Sequence, residues 1–141
     1  MKHQISNDDR IFKTQLETCV LSPSEFTHQA HLRLAYVYLV ENEDDMAFQL
    51  MRDSLLRFLN HNGVDISKFH ETMTRAWILA VKHFMENDSG ADSADTFIDN
   101  NPEMLDKNIM MTHYSAELLF SDEAREQFVT PDLDPIPRYE N

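Results

Sequence analysis

Two histidines three residues apart, His28 and His31, stand where an apolar helical pattern begins. Residues at i and i+3 share one face of an α-helix, so both imidazoles can point towards the same place. Two later segments each put a further histidine, His70 or His113, among polar neighbours inside a predicted helix. Neutral imidazole is a common ligand of Zn, Fe, Ni and Cu. The pattern therefore predicts a histidine-lined site inside a small helical protein.

The leading hypothesis is a metal-dependent enzyme in which these histidines hold one divalent ion, Fe, Zn or Ni. His28 and His31 would bind the ion together, and His70 or His113 would complete three protein ligands and leave one position open. Helical bundles build such sites from side chains that point inward from facing helices. The ion would activate water, dioxygen or a substrate oxygen.

Five other side chains complete the candidate site. We predict that Glu71 and Tyr114 are catalytic, with Glu71 acting as general base or as the partner that orients an imidazole. Arg33, Arg75 and Thr74 are the predicted ligand-binding residues, because a guanidinium can hold a carboxylate or phosphate. Each also has a structural interpretation. For Arg75 we favour a salt bridge to Glu71, which lies one helical turn earlier, while Tyr114 and Thr74 could satisfy buried backbone groups.

The competing hypothesis is a non-enzymatic helical module that binds a small anionic ligand or a partner protein. Its histidines would then be paired with carboxylates, hydroxyls or carbonyls in structural hydrogen bonds. A third hypothesis, a pH-sensitive switch, follows from the titration of histidine near neutral pH. His-x-x-His is a weak motif by itself, so the residues leave these alternatives open.

The composition of the chain excludes several classes of protein. Its 141 residues fit one domain, and 42% hydrophobic residues are typical of a folded globular chain. With only two glycines, the sequence contains neither a phosphate-binding glycine loop nor a dinucleotide fingerprint. A net charge of −13 argues against nucleic-acid binding and against docking on anionic membranes. The single cysteine, Cys19, excludes an intrachain disulfide and a cysteine-based zinc site.

The expected location is the cytoplasm. The opening residues Met-Lys-His-Gln lead into polar sequence rather than the apolar core of a signal peptide. The longest apolar run, about residues 34–40, is too short to span a bilayer. We therefore expect a small-molecule ligand and no nucleic-acid or membrane partner, and the small size and exposed aromatic residues are compatible with a homodimer.

The elements that must position these side chains are helices. Apolar periodicity predicts five longer helices and two shorter ones, near residues 8–20, 27–41, 44–60, 67–86, 93–99, 102–120 and from 121 onward. The predicted N-caps are Asn7 or Asp8 for the first helix, Thr27 for the second, Ser67 for the fourth and Ser121 for the last.

The overall prediction is an all-α, single-domain helical bundle of about five to seven helices that occupies residues 1–141. Prolines 131, 135 and 137 remove backbone donors and fix φ, so they exclude helix from the C-terminal segment. We expect residues 129–141 to form an extended tail packed on the body.

The motifs together resemble a family of small uncharacterised bacterial proteins with an all-helical fold. They are Phe-Thr-His-x-x-His-Leu-Arg-Leu-Ala (26–35), Lys-Phe-His-Glu-Thr-Met-Thr (68–74), His-Tyr-Ser (113–115), Ser-x-x-Ala-Arg (121–125) and Pro-Asp-Leu-x-Pro-Ile-Pro (131–137). The resemblance spans most of the chain, roughly residues 26–137. It implies no particular reaction, substrate or cofactor, so the functional hypotheses rest on the chemistry of the residues.

Overall fold

Seven α-helices follow the apolar periodicity of the chain in the computed structural model, which describes residues 3–137. They are α1 Asn7–Glu17, α2 His28–Glu41, α3 Asp44–His61, α4 Glu71–Glu86, α5 Ala94–Asn100, α6 Ala116–Leu119 and α7 Asp122–Glu126. Four 3-10 helices connect them, at Pro23–Glu25, Ile66–Lys68, Pro102–Leu105 and Lys107–Thr112. Within residues 3–137 the only β-type pairing is one isolated bridge between His3 and Ala91. The predicted all-α fold is confirmed.

Side-chain caps mark the start of most of the helices, although α3 has none. Thr27 accepts from the amide of Ala30, and Ser121 from that of Ala124, as predicted for α2 and α7. The cap of α1 is Ser6 rather than the predicted Asn7 or Asp8. Each cap satisfies an amide that has no partner within its own helix.

The predicted start of α4 is wrong. Ser67 belongs to the preceding 3-10 helix, which is capped by Asp65, and Phe69 is extended with φ −67° and ψ 138°. The helix begins at Glu71, and His70 is its N-cap. The chain therefore turns a corner where the pattern predicted continuous helix.

The predicted long helix over residues 102–120 is also wrong. Two 3-10 helices replace its first part, and Asp106 separates them with an extended backbone at φ −85° and ψ 106°. Regular helix resumes only at α6. Short 3-10 segments of this kind are common as tight connections between helices.

Helix α2 is the centre of the larger hydrophobic cluster. It contacts α1, α3, α4 and α5, and every residue from 34 to 39 is buried. A helix that is buried on all sides is surrounded by other elements rather than packed along one stripe. The N-terminal turn of α2, which carries His28 and His31, is thereby held among its neighbours.

A second, smaller cluster joins α4 to the C-terminal part of the chain. Trp77 of α4 packs against both clusters. The segment from 129 to 137 is not helical, and Ile136 is buried in the second cluster, so this part of the predicted tail packs on the body. Residues 138–141 of the predicted tail lie outside the described residues.

No helix within residues 3–137 is both long enough and apolar enough to cross a membrane.

Candidate ligand-binding site

A cavity of about 760 Å³ lies among α2, α3, α4 and the 3-10 helix at Lys107–Thr112. Cavities of roughly 300–1,000 Å³ are typical of small-molecule sites. Its walls are mainly aliphatic and aromatic, and include Phe26, Phe58, Phe69, Trp77, Met51 and Met73. Some of the lining residues, Lys68 and Phe120 among them, are exposed, so the cavity reaches the surface. The interior is suited to an apolar group.

His31 lines this cavity as a neutral imidazole. Its Nδ1 lies 2.8 Å from the carbonyl oxygen of Thr27 and donates to it. The ring stacks on Phe26 with centroids 3.9 Å apart, and Phe26 meets Phe58 edge-on at 5.3 Å. Burial lowers the pKa of His31, and this effect outweighs the hydrogen bond to Thr27, which tends to raise it. At neutral pH the Nε2 atom of His31 is therefore left with a lone pair.

His28 connects α2 to the 3-10 helix at Pro102–Leu105. Its Nε2 donates to the carbonyl oxygen of Met104 at 2.9 Å. Its ring meets Trp77 edge-on, with centroids 4.9 Å apart. Because Nε2 carries the donated proton, Nδ1 holds the lone pair when the ring is neutral.

His70 uses both of its ring nitrogens. Nδ1 accepts from the amide of Met73 at 3.0 Å, and Nε2 donates to the carbonyl oxygen of Leu119 at 2.7 Å. Burial lowers the pKa of His70, and the charge of Arg125 acts in the same direction. To bind a metal, His70 would have to give up one of these two hydrogen bonds. Thr74, a predicted ligand-binding residue, does line the cavity, and its hydroxyl donates to the carbonyl of His70 at 2.8 Å.

His113 is not among the residues that line the cavity within the described part of the chain. Its Nδ1 donates to the carbonyl oxygen of Asp134 at 2.8 Å and fastens the C-terminal segment. The structure thus brings together three of the four predicted histidines. Across residues 3–137, no group of three or more His, Cys, Asp or Glu side chains is arranged to hold a metal ion. Binding of Fe, Zn or Ni stays a prediction.

Glu71, the predicted general base, forms an ion pair that we did not anticipate. Its Oε1 lies 2.7 Å from Nε of Arg52 on α3. The predicted salt bridge between Glu71 and Arg75 is wrong, since Arg75 Nη2 instead lies 3.3 Å from Oδ1 of Asp45. Both arginines link α4 to α3, and this cross-helix pairing replaces the expected pairing within one helix. Glu71 is not among the described residues that line the cavity.

Arg33 and Tyr114 have structural partners away from the cavity. Nε of Arg33 lies 2.9 Å from Oδ1 of the buried Asp9. Tyr114 is fully buried in the second cluster, and its hydroxyl donates to the carbonyl oxygen of Val129 at 2.7 Å. Among the described residues, the cavity lining includes Thr74 but not the other predicted catalytic and ligand-binding residues.

Two cationic residues of the cavity were missed from the sequence. Lys68 ends the 3-10 helix before α4, and Lys107 begins the one that follows Asp106. Both line the cavity, although they are 39 positions apart, from 68 to 107. Lys68 immediately precedes Phe69 and His70, so its position beside the candidate site could have been predicted from the sequence. Nothing in the sequence around Lys107 distinguishes it from a surface lysine.

Comparison with known proteins finds no matching family model, no similar curated protein and no similar solved structure. The resemblance of the motifs to small bacterial proteins stays a prediction. Function is inferred from the site alone.

Proposed function

We propose that the protein binds a small, mainly apolar molecule in the cavity among α2, α3 and α4. The observation that carries the proposal is the combination of a cavity of about 760 Å³ with aromatic and aliphatic walls. Removing apolar surface from water is the dominant favourable contribution to such binding. Hydrogen bonds to backbone carbonyls hold the rings of His28 and His70 in the wall, which favours a site formed before the ligand arrives.

This proposal develops the ligand-binding hypothesis rather than the metal-enzyme hypothesis. In the observed arrangement His70 has no nitrogen free for a metal. Glu71, the candidate base, is paired with Arg52. Hydrogen bonds to carbonyls are the pairing expected of histidines that shape a binding pocket.

A series of linear alcohols tests the proposal by isothermal titration calorimetry. Each buried methylene contributes about 0.8 kcal/mol, which is about a fourfold change in affinity. We expect octan-1-ol to bind saturably and about tenfold or more tighter than hexan-1-ol. Absence of saturable binding, or affinities that do not depend on chain length, would contradict the proposal.

A matched pair of substitutions on α3 locates the binding. Leu59 lines the cavity, whereas Leu50 packs elsewhere against the larger cluster, and both are half-buried. Leu59→Trp adds volume to the cavity wall and should abolish or strongly weaken octan-1-ol binding. Leu50→Trp should leave the affinity unchanged, and equal effects of the two substitutions would place the alcohol outside the cavity.

A further inference from the structure

The charge of the cavity lining is opposite to that of the whole chain. The protein has 25 acidic and 12 basic residues. Among the described residues that line the cavity there is no aspartate or glutamate, whereas Lys68 and Lys107 are both present. In so acidic a chain, a lining that contains lysines and lacks carboxylates indicates a preference for a negatively charged ligand.

The carboxylates that precede these lysines in the sequence accept hydrogen bonds from backbone amides of the same 3-10 helices. Oδ1 of Asp65 accepts from the amide of Ser67 at 3.0 Å, and Oδ1 of Asp106 accepts from the amide of Asn108 at 2.9 Å. These carboxylates satisfy backbone donors of the 3-10 helices. Lys68 does interact electrostatically with the exposed Asp65, so part of its charge is offset.

Neither lysine forms a close ion pair in the part of the chain that the structure describes. The salt bridges within residues 3–137 involve other cations, namely Lys13, Arg33, Arg52, Arg75 and Lys82. Lys68 and Lys107 are both exposed. They therefore stand at the surface end of the cavity, while its interior is aromatic and aliphatic.

We infer that the ligand is a small amphipathic anion whose apolar body fills the aromatic interior and whose negative charge lies at the surface end, near Lys68 and Lys107. This inference rests on the proposed function, since it adds a charge to the apolar ligand. A cationic amphiphile of the same size would meet two lysines and no carboxylate in the lining. A neutral one would gain only from apolar burial.

Three probes that share an eight-carbon alkyl chain and differ only in the head group test the inference. They are nonanoate, octan-1-ol and octylammonium, titrated calorimetrically near neutral pH and at low salt. We expect nonanoate to bind severalfold tighter than octan-1-ol, by up to about fivefold for each exposed ion pair. Octylammonium should bind more weakly than octan-1-ol, and added salt should reduce the advantage of nonanoate.

Charge-removing substitutions identify the residues responsible. Lys68→Gln and Lys107→Gln, singly and together, should reduce nonanoate affinity by a larger factor than they change octan-1-ol affinity. The matched control is Arg10→Gln, which removes one exposed positive charge on α1 outside the cavity. It should leave nonanoate affinity within about twofold of the parent.

The outcomes separate the two proposals. Equal affinity for nonanoate and octan-1-ol in the parent protein, or a nonanoate preference that survives the double substitution, would overturn the anionic ligand while leaving apolar binding intact. Failure of both probes to bind would overturn the proposed function and, with it, the inference.

Discussion

The Nε2 atom of His70 lies 2.7 Å from the carbonyl oxygen of Leu119, at the end of α6. The other ring nitrogen, Nδ1, accepts the amide proton of Met73 in the first turn of α4. An amide can only donate and a carbonyl can only accept, so the ring is fixed as the neutral Nε2–H tautomer. One imidazole therefore caps α4 and joins it to the last residue of α6, and both His70 and Leu119 line the cavity.

Substitution of His70 should reveal both of these roles. His70→Ala removes the N-cap and the bond to Leu119, and we expect it to lower the free energy of unfolding by about 2 kcal/mol. His70→Asn keeps a side-chain acceptor at the N-cap position and should cost about 1 kcal/mol. Urea denaturation measures both values. Equal costs for the two variants would contradict the capping role.

Stability should fall as the pH drops below neutrality. Burial lowers the pKa values of His31 and His70 below the 6.5 of the unfolded chain. At pH values between the unfolded-chain pKa of 6.5 and the lower pKa values of the folded protein, the unfolded chain therefore takes up protons that the folded protein excludes. As the pH falls through this range, the free energy of unfolding decreases by up to about 1.4 kcal/mol per pH unit for each histidine.

Urea denaturation at successive pH values measures this dependence. His70→Asn should reduce the slope, because one of the two titrating groups is gone. His61→Gln, at an exposed position at the end of α3, is the control and should keep the parent slope. A stability that does not change from neutral pH to about 5 would show that neither imidazole is held neutral by the fold.

Among the charged groups of α1, the buried carboxylate of Asp9 should contribute most to the free energy of unfolding. Its oxygens accept from the amides of Ser6 and Ala94 and pair with Arg33 at 2.9 Å. Burial tends to raise the pKa of Asp9, but these hydrogen bonds and the arginine outweigh it and lower the pKa. We expect Asp9→Asn to lower the free energy of unfolding by about 2–4 kcal/mol.

Chemical denaturation of Asp9→Asn beside Asp8→Asn checks this expectation. Asp8 is exposed in the same first turn, so its substitution should change stability much less. Comparable effects of the two substitutions would indicate that Asp9 acts only through the dipole of α1.

The hydroxyl of Thr72 should anchor the start of the C-terminal segment. It donates to the carbonyl oxygen of Gln127 at 3.0 Å and accepts from the amide of Val129 at 3.1 Å. Thr72→Val keeps the side-chain shape but leaves both backbone groups without this partner, at a cost of about 1–3 kcal/mol. Limited proteolysis should then cut residues 130–137 faster than in the parent.

The control for Thr72 is Thr14→Val, because the exposed Thr14 hydroxyl bonds only within α1. This variant should be cut at the parent rate. An unchanged rate in Thr72→Val would show that Ile136 and the remaining contacts hold the segment without the threonine.

Local patterns predicted the all-α fold, most of the longer helices and some of their caps. Thr27 and Ser121 cap through amides three residues away, so their role can be inferred from a short window of sequence. His28 and His31, three residues apart at the start of α2, both line the cavity. That they act together at one site stays a prediction.

Interactions between distant segments explain the failures. The His70 cap is supported by Leu119, 49 residues further along the chain. Glu71 pairs with Arg52 on α3 rather than with Arg75 on its own helix. The packing of α4 against α3 brings Nε of Arg52 within 2.7 Å of the Glu71 carboxylate. Lys68 and Lys107 both line the cavity from 3-10 helices that are distant in sequence, and helical periodicity does not encode this arrangement.

The methionines provide the most direct test of the central claim, that an apolar molecule occupies the cavity. Met51, Met73 and Met111 line it, whereas Met46 is exposed elsewhere and Met85 is buried away from the lining. The measurement is titration of octan-1-ol into protein labelled with carbon-13 at the methionine methyl groups, followed by NMR. We predict saturable shifts for Met51, Met73 and Met111, and none for Met46 and Met85. An absence of shifts, or shifts at Met46 or Met85 equal to those at the lining methionines, would contradict a binding site in this cavity.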